Sequence, residues 1–167
     1  MPVFQAPVVH PPILGSRHLA WPDEAACAAF AGALAQRPAL HNAFIALHGP
    51  LGAGKTTFVR HLLRALGVTG RIKSPTYAVL EPYTVGSLQI AHFDFYRFSD
   101  PRELVDAGFR ELFAAPGLKL AEWPEHAAGM LPPADVHLTI TPQPDGADDS
   151  RQVLAAAGTA HGLELLE

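Results

Sequence analysis

Cysteine is nearly missing. The 167 residues hold one, Cys27, so no disulfide framework can brace the chain, and the secreted scaffolds that rely on such bridges are excluded. Long apolar runs are missing too, and none approaches the roughly 20 residues that a membrane-spanning helix needs. The opening stretch MPVFQAPVVHPPILG has neither the basic start nor the continuous apolar segment of a secretory signal. Nine histidines are scattered with no paired metal-ligand spacing, which removes a zinc-finger arrangement. These absences lead us to expect a soluble protein of the reducing cytoplasm, without contact to a membrane.

Apolar residues make up 49% of the chain, enough at this length for one well-buried core and little more. Pro2, Pro7, Pro11 and Pro12 stiffen residues 1–14, which read as a proline-rich N-terminal arm, and residues 15–167 read as a single domain. The net charge of −4 hides an uneven distribution. No acid lies between Glu24 and Glu81, where Arg37, Lys55, Arg60, Arg64, Arg71 and Lys73 fall, and the remainder holds all sixteen acids. Such a field favours an anionic ligand, although an ordinary solvated helix face explains Arg60 and Arg64 equally well. A nucleic-acid groove is not expected, because aromatic residues are not interleaved with those charges.

After Trp21, PDEAACAAFAGALAQR has helical spacing, with Pro22 suited to the first turn and Cys27, Phe30, Ala31 and Leu34 forming a stripe. Cys27 thus reads as a small core residue rather than a nucleophile. The run FIALH, residues 44–48, has the pattern of a buried parallel strand. Beyond it, Val59, Leu62, Leu63 and Leu66 predict a helix from Lys55 that stops at Gly67. TYAVLEPY and SLQIAHFDFYRF predict strands around a turn at Gly86, and RELVDAGFRELF a helix with Leu104, Gly108 and Leu112 on one side. GLKLAEW, DVHLTI and RQVLAAAG predict further strands, the last two separated by the turn-rich TPQPDGADDS. The order implies an α/β fold: a mostly parallel central sheet with antiparallel additions, flanked by helices.

Between the first strand and its helix lies HGPLGAGKTTFVR. Gly49, Gly54, Lys55 and Thr56 fit G-x-x-x-x-G-K-[ST], in the strand-to-helix setting that the pattern requires. Such a loop wraps backbone N–H groups round a phosphate at a helix N-terminus, where unpaired donors and the helix dipole favour negative charge. Gly52 and Gly54 let the main chain approach closely. Lys55 would reach the outer phosphates and the Thr56 hydroxyl would hold Mg2+. A carboxylate at a neighbouring strand end is also needed, because Mg2+ prefers hard oxygen ligands. Asp94, closing the apolar IAHF, suits this role, and Glu122 ends KLAEW similarly; a turn or helix cap is the plainer use of a lone aspartate at Asp94.

GPLGAGKTTFVR, KSPTYAVLEPY, HFDFYRF and AEWPE, in this order, resemble the bacterial TsaE family, once called YjeE, over approximately residues 17–157. The resemblance implies a P-loop NTPase-like fold and a weak Mg2+-dependent ATPase. It further implies action alongside the TsaB and TsaD proteins in forming threonylcarbamoyladenosine on tRNAs that read codons beginning with adenine, with tRNA met through that complex. Carried over by position, Gly52, Ala53, Gly54, Lys55, Thr56 and Thr57 would bind ATP or ADP, and Trp123 would lie beside adenine or ribose. Thr56, Asp94 and Glu122 would hold the metal, and Asp94, Glu122 and Thr76 would be catalytic. Thr76 belongs to a Ser74-Pro75-Thr76 segment that resembles a switch loop, although Pro75 can equally stiffen a strand entrance. Tyr96 and Arg97 match the family's YR pair, where Arg97 either meets phosphate charge or forms a structural ion pair. A monomer is expected.

One departure stands out. The family usually has aspartate where this chain has Pro50. Proline removes one N–H, but the phosphate-facing donors lie later, from Gly52 onward, so binding is expected to survive while turnover becomes slower or more partner-dependent. Two other readings stay open: a small-molecule or nucleoside kinase using the same loop, and a non-hydrolysing module whose bound nucleotide shapes a partner interface.

Overall fold

The structure, a computed structural model, describes residues 12–75, 79–98, 100, 102 and 108–167. Its centre is the strand β2 (Phe44–His48), whose FIALH run is buried on both faces. Side chains alternate across a strand: Ile45 and Leu47 join one core, Phe44 and Ala46 the other. β2 pairs in parallel with β5 (Leu118–Glu122) and β6 (Val136–Pro142), and β5 in turn with β4 (Leu88–Asp94). Antiparallel ladders add β3 (Leu80–Val85) beside β4, and β7 (Arg151–Ala157) and β1 (Gly15–Trp21) beyond β6. The seven-stranded order is β1-β7-β6-β2-β5-β4-β3. The sheet is mixed, with a parallel block of four strands at its centre.

Helices α1 (Glu24–Ala35) and α2 (Lys55–Leu66) cover one face through Cys27, Ala31, Leu34, Phe58, Val59, Leu62 and Leu63. Trp21, Phe30 and Phe58 meet there with ring centroids 5.5–6.1 Å apart. Helix α3 (Phe109–Ala114) covers the other face, where Phe113 stacks on Phe93 at 4.5 Å. The C-terminal helix α4 (Ala160–Leu166) returns Leu165 and Leu166 to the first core.

Several boundaries depart from the sequence expectation. Leu14 N already donates to Ala157 O, so the chain joins the sheet inside the stretch read as an arm; residues 1–11 lie outside the described residues. Pro22 precedes helix α1 rather than opening it, because Asp23 is the N-cap and accepts from Ala26 N at 2.9 Å. Strand β4 stops at Asp94, not Phe98: the Asp94 carboxylate accepts from Tyr96 N at 3.0 Å, a local bond that turns the chain out of the ladder. The inward side of α3 is Phe109 and Phe113, both half-buried, whereas Leu112 is exposed; Leu104 lies outside the described residues.

Candidate functional site

Parallel pairing brings the carboxyl ends of β2, β5 and β4 to one edge of the sheet. The register sets Leu47 opposite Glu122 and Asp94 opposite Glu122, so both carboxylates stand beside the start of the glycine loop. Two of the loop's glycines are required for different reasons. Gly49 has φ +145, and a Cβ on it would lie 2.4 Å from the Ile140 carbonyl oxygen. Gly54 is the N-cap of α2 at φ +107 and offers no side chain to cap it. The helical ladder begins with Phe58 N donating to Gly54 O, so the amides of Lys55, Thr56 and Thr57 have no acceptor within the helix.

The side chains converge on the same edge. Lys55 is buried; its Nζ donates to Gly49 O and sits 3.5 Å above the centre of the Trp123 ring. Burial pushes the Lys55 ammonium below the usual lysine range, against the pull of Glu122, Glu125 and Asp94. Thr56 Oγ1 donates to Glu122 Oε1 at 2.8 Å, and His92 Nε2 donates to Glu122 Oε2 at 2.6 Å. An ionised carboxylate only accepts, so it orders the His92 tautomer with hydrogen on Nε2; the buried Nδ1 has no partner among the described residues. Burial raises the Asp94 carboxyl above its usual range, the bond from Tyr96 N opposes this, and the charge of Glu122 adds to it.

A cleft of about 280 Å3 lies between these groups, lined by the loop from Leu51 to Thr57 together with Asp94, Tyr96, Glu122, Trp123 and Arg151. A larger concavity, about 550 Å3, sits elsewhere, against Asn42, Gly86–Gln89 and Gly117, and contains none of the candidate residues. Chemistry, not size, locates the site.

The structure brings together Gly52, Ala53, Gly54, Lys55, Thr56, Thr57, Asp94, Glu122 and Trp123. Trp123 has φ +55, stacks with His126 at 5.4 Å and meets Tyr96 at a tilt at 5.1 Å, and its ring faces the lysine end of the loop. Thr76 lies outside the described residues; Ser74 and Pro75 are half-buried in irregular chain. Arg97 is exposed and enters no ion pair among the described residues. Pro50 is exposed, and its carbonyl accepts from Ala53 N at 3.0 Å.

Three features escaped the sequence. His92 lies two residues before Asp94, and strand alternation could have placed it on the same side. His48, at the end of β2, meets His137 through Nε2 and Nδ1 at 2.9 Å; burial depresses both rings below their usual pKa, and His137 lowers His48 further. Arg151 reaches the glycine loop from β7, with Nε donating to Ala53 O at 2.6 Å. A lone arginine at a strand start carries no signal of that contact.

Strand, glycine loop and helix, with a lysine at the helix start and carboxylates on adjacent strand ends, define a class of mixed α/β protein whose polar chemistry sits at the carboxyl edge of its sheet. The model of the threonylcarbamoyl adenosine biosynthesis protein TsaE matches residues 21–153. TsaE of Haemophilus influenzae is 42% identical over 120 residues, 72% of this chain and 73% of that protein. The Bacillus subtilis protein is 35% identical over 113 residues, 68% of each. A crystal structure of Bacillus subtilis YdiB has a TM-score of 0.73 at 27% identity, covering 91% of this chain and 92% of its own. The chain belongs to the TsaE family, which is named for tRNA threonylcarbamoyladenosine biosynthesis. No helix of the described residues is long and apolar enough to cross a membrane.

Proposed function

We propose that this chain is a P-loop ATPase, weak and Mg2+-dependent, that supports threonylcarbamoyladenosine formation on tRNAs reading codons that begin with adenine. Its nucleotide cycle regulates or resets a cytoplasmic TsaB–TsaD complex, through which it meets tRNA. The observation that carries this reading is the 2.8 Å bond from Thr56 to Glu122, which joins the hydroxyl next to the loop lysine to a carboxylate on the adjacent strand.

The donor set suits a divalent cation shared with phosphate. No cluster of three or more His, Cys, Asp or Glu among the described residues could hold a metal alone. Mg2+ commonly takes one or two carboxylates, with waters and phosphate oxygens completing its shell, and Thr56, Asp94 and Glu122 supply hard oxygens of that kind. Bound there, Mg2+ would offset charge on the phosphate oxygens. Lys55 Nζ would exchange the Gly49 carbonyl for a phosphate oxygen and keep Trp123 beneath it. The helix-start amides would donate to the same anion. Asp94, at the strand end beside Glu122, would orient the attacking water. Phosphoryl transfer depends on positioning and charge, and a small domain with Pro50 in its loop leaves room for a partner to raise the rate.

Pro50 favours a second reading, a nucleotide-binding module that does not hydrolyse. Steady-state ATP turnover, alone and with TsaB and TsaD, separates the two. Slow turnover that rises with the partners supports the ATPase. Tight binding with no turnover in either case selects the module, and consumption only with an added hydroxyl acceptor selects a kinase.

A further inference from the structure

Among the described residues, Arg151 is bonded only to backbone carbonyls. Its Nε donates to Ala53 O at 2.6 Å, Nη2 reaches toward Gly52 O at 3.5 Å, and Nη1 donates to Asp148 O at 2.7 Å and Ser150 O at 2.9 Å. It enters no ion pair among the described residues. A guanidinium usually seeks a carboxylate, so its placement on the glycine loop needs an explanation.

Peptide geometry supplies one. C=O and N–H of a trans peptide point in opposite directions, so holding Ala53 O toward the guanidinium turns Gly54 N–H away from it. Gly54, at φ +107, tolerates many backbone conformations. Nothing in its own chemistry therefore prevents the Ala53–Gly54 peptide from rotating and presenting a carbonyl where a donor is wanted. The arginine is itself braced, because Ser150 Oγ donates to Gln143 Oε1 and Gln143 N donates to Ser150 O at 3.2 Å across the β6–β7 turn.

We infer that Arg151 is a positioning residue of the loop: it locks the Ala53–Gly54 peptide so that the Gly54 amide is presented to a phosphate group. The turn between β6 and β7 thereby acts as a fixed strut for the anion site. This rests on the phosphate-binding reading given above, and it is distinct from a role in which Arg151 adds charge alone. Lysine would retain the charge but lose the planar fork that spans Ala53 and the turn carbonyls.

The test is titration calorimetry of the full chain with pyrophosphate and with ADP plus Mg2+, for the unaltered protein, Arg151→Lys and Arg151→Met, alongside the Gly54 amide resonance in 1H–15N spectra. Both variants are expected to weaken pyrophosphate binding by roughly tenfold, the equivalent of one hydrogen bond of about 1.4 kcal/mol, and to shift the Gly54 resonance. Affinity restored by Arg151→Lys would make the role one of charge and overturn the inference. A lowered melting temperature in either variant with unchanged affinity and resonance would reduce Arg151 to a brace of the turn, and also overturn it. Should Arg151→Met fail to fold, the lysine variant decides alone. If the unaltered protein binds neither ligand, the phosphate-binding reading falls first and the inference with it, an outcome visible before any variant is measured.

Discussion

Glu122 is 2% exposed and accepts from both Thr56 and His92, so replacing it by alanine strands two donors. A buried donor without a partner costs about 1–3 kcal/mol. Thr56 is half-buried and can turn its hydroxyl to water, which puts its share at the low end. His92 is 1% exposed, so its Nε2–H has no water to turn to and its share belongs at the high end. Relief of a buried carboxylate offsets part of this, leaving a net loss of about 2–4 kcal/mol for Glu122→Ala. In a domain of this size that lowers the melting temperature by roughly 5–15 °C. Urea unfolding of Glu122→Ala, His92→Leu and the double variant measures it. Because removing both partners of a buried bond is much milder than removing one, the two single losses should exceed the double loss by at least about 1 kcal/mol. Strict additivity, or a Glu122→Ala loss under about 0.5 kcal/mol, would refute the reasoning. Glu122→Gln, which keeps one acceptor, is the variant for turnover and should lower kcat while leaving nucleotide affinity within a few-fold.

Gly49→Ala should destabilise by more than about 3 kcal/mol, because its Cβ meets the Ile140 carbonyl at 2.4 Å. Gly52→Ala, at φ +79 in open space, should lose only the left-handed penalty of about 1–2 kcal/mol. Equal losses in urea melts would show that Gly49 does not pack as described. Asp94→Ala should spare ATP affinity and depress hydrolysis, read by comparing calorimetry with steady-state rates; a parallel loss of both would remove Asp94 from the reacting end. His48 and His137 both titrate below their ordinary 6.5 in the fold, so the unfolded chain binds more protons as pH drops. Their contribution to stability is present above pH 6.5 and declines as pH falls toward the folded values. His137→Gln should flatten urea midpoints between pH 7 and pH 5, and an unchanged slope would contradict the pairing.

The parts of the fold legible in the sequence were those with a strong period or a strong stop. Helix α2 begins at Lys55 and ends against Gly67, at φ +106, as its apolar spacing implies. Strand β2 was readable because all its residues but His48 are buried. Strand β1, GSRHLAW, was not, because most of it is exposed at a sheet edge and it lacks alternation. Helix α4 was hidden by Gly162, whose absent side chain admits the Asp135 carbonyl: a Cβ there would collide with that oxygen. No local pattern reports a close approach across the fold. The same division applies to the site. Lys55, Thr56, Asp94 and Glu122 follow from a loop motif and two strand ends, whereas His92 and Arg151 depend on which strands become neighbours. Arg151 lies 98 positions from the carbonyl it holds.

Titration of ATP with Mg2+ into the unaltered protein and into Lys55→Ala bears most directly on the claim that the glycine loop is a nucleotide site. Saturable binding that disappears in a folded Lys55→Ala variant is the predicted result, and equal affinity in the two proteins would contradict it.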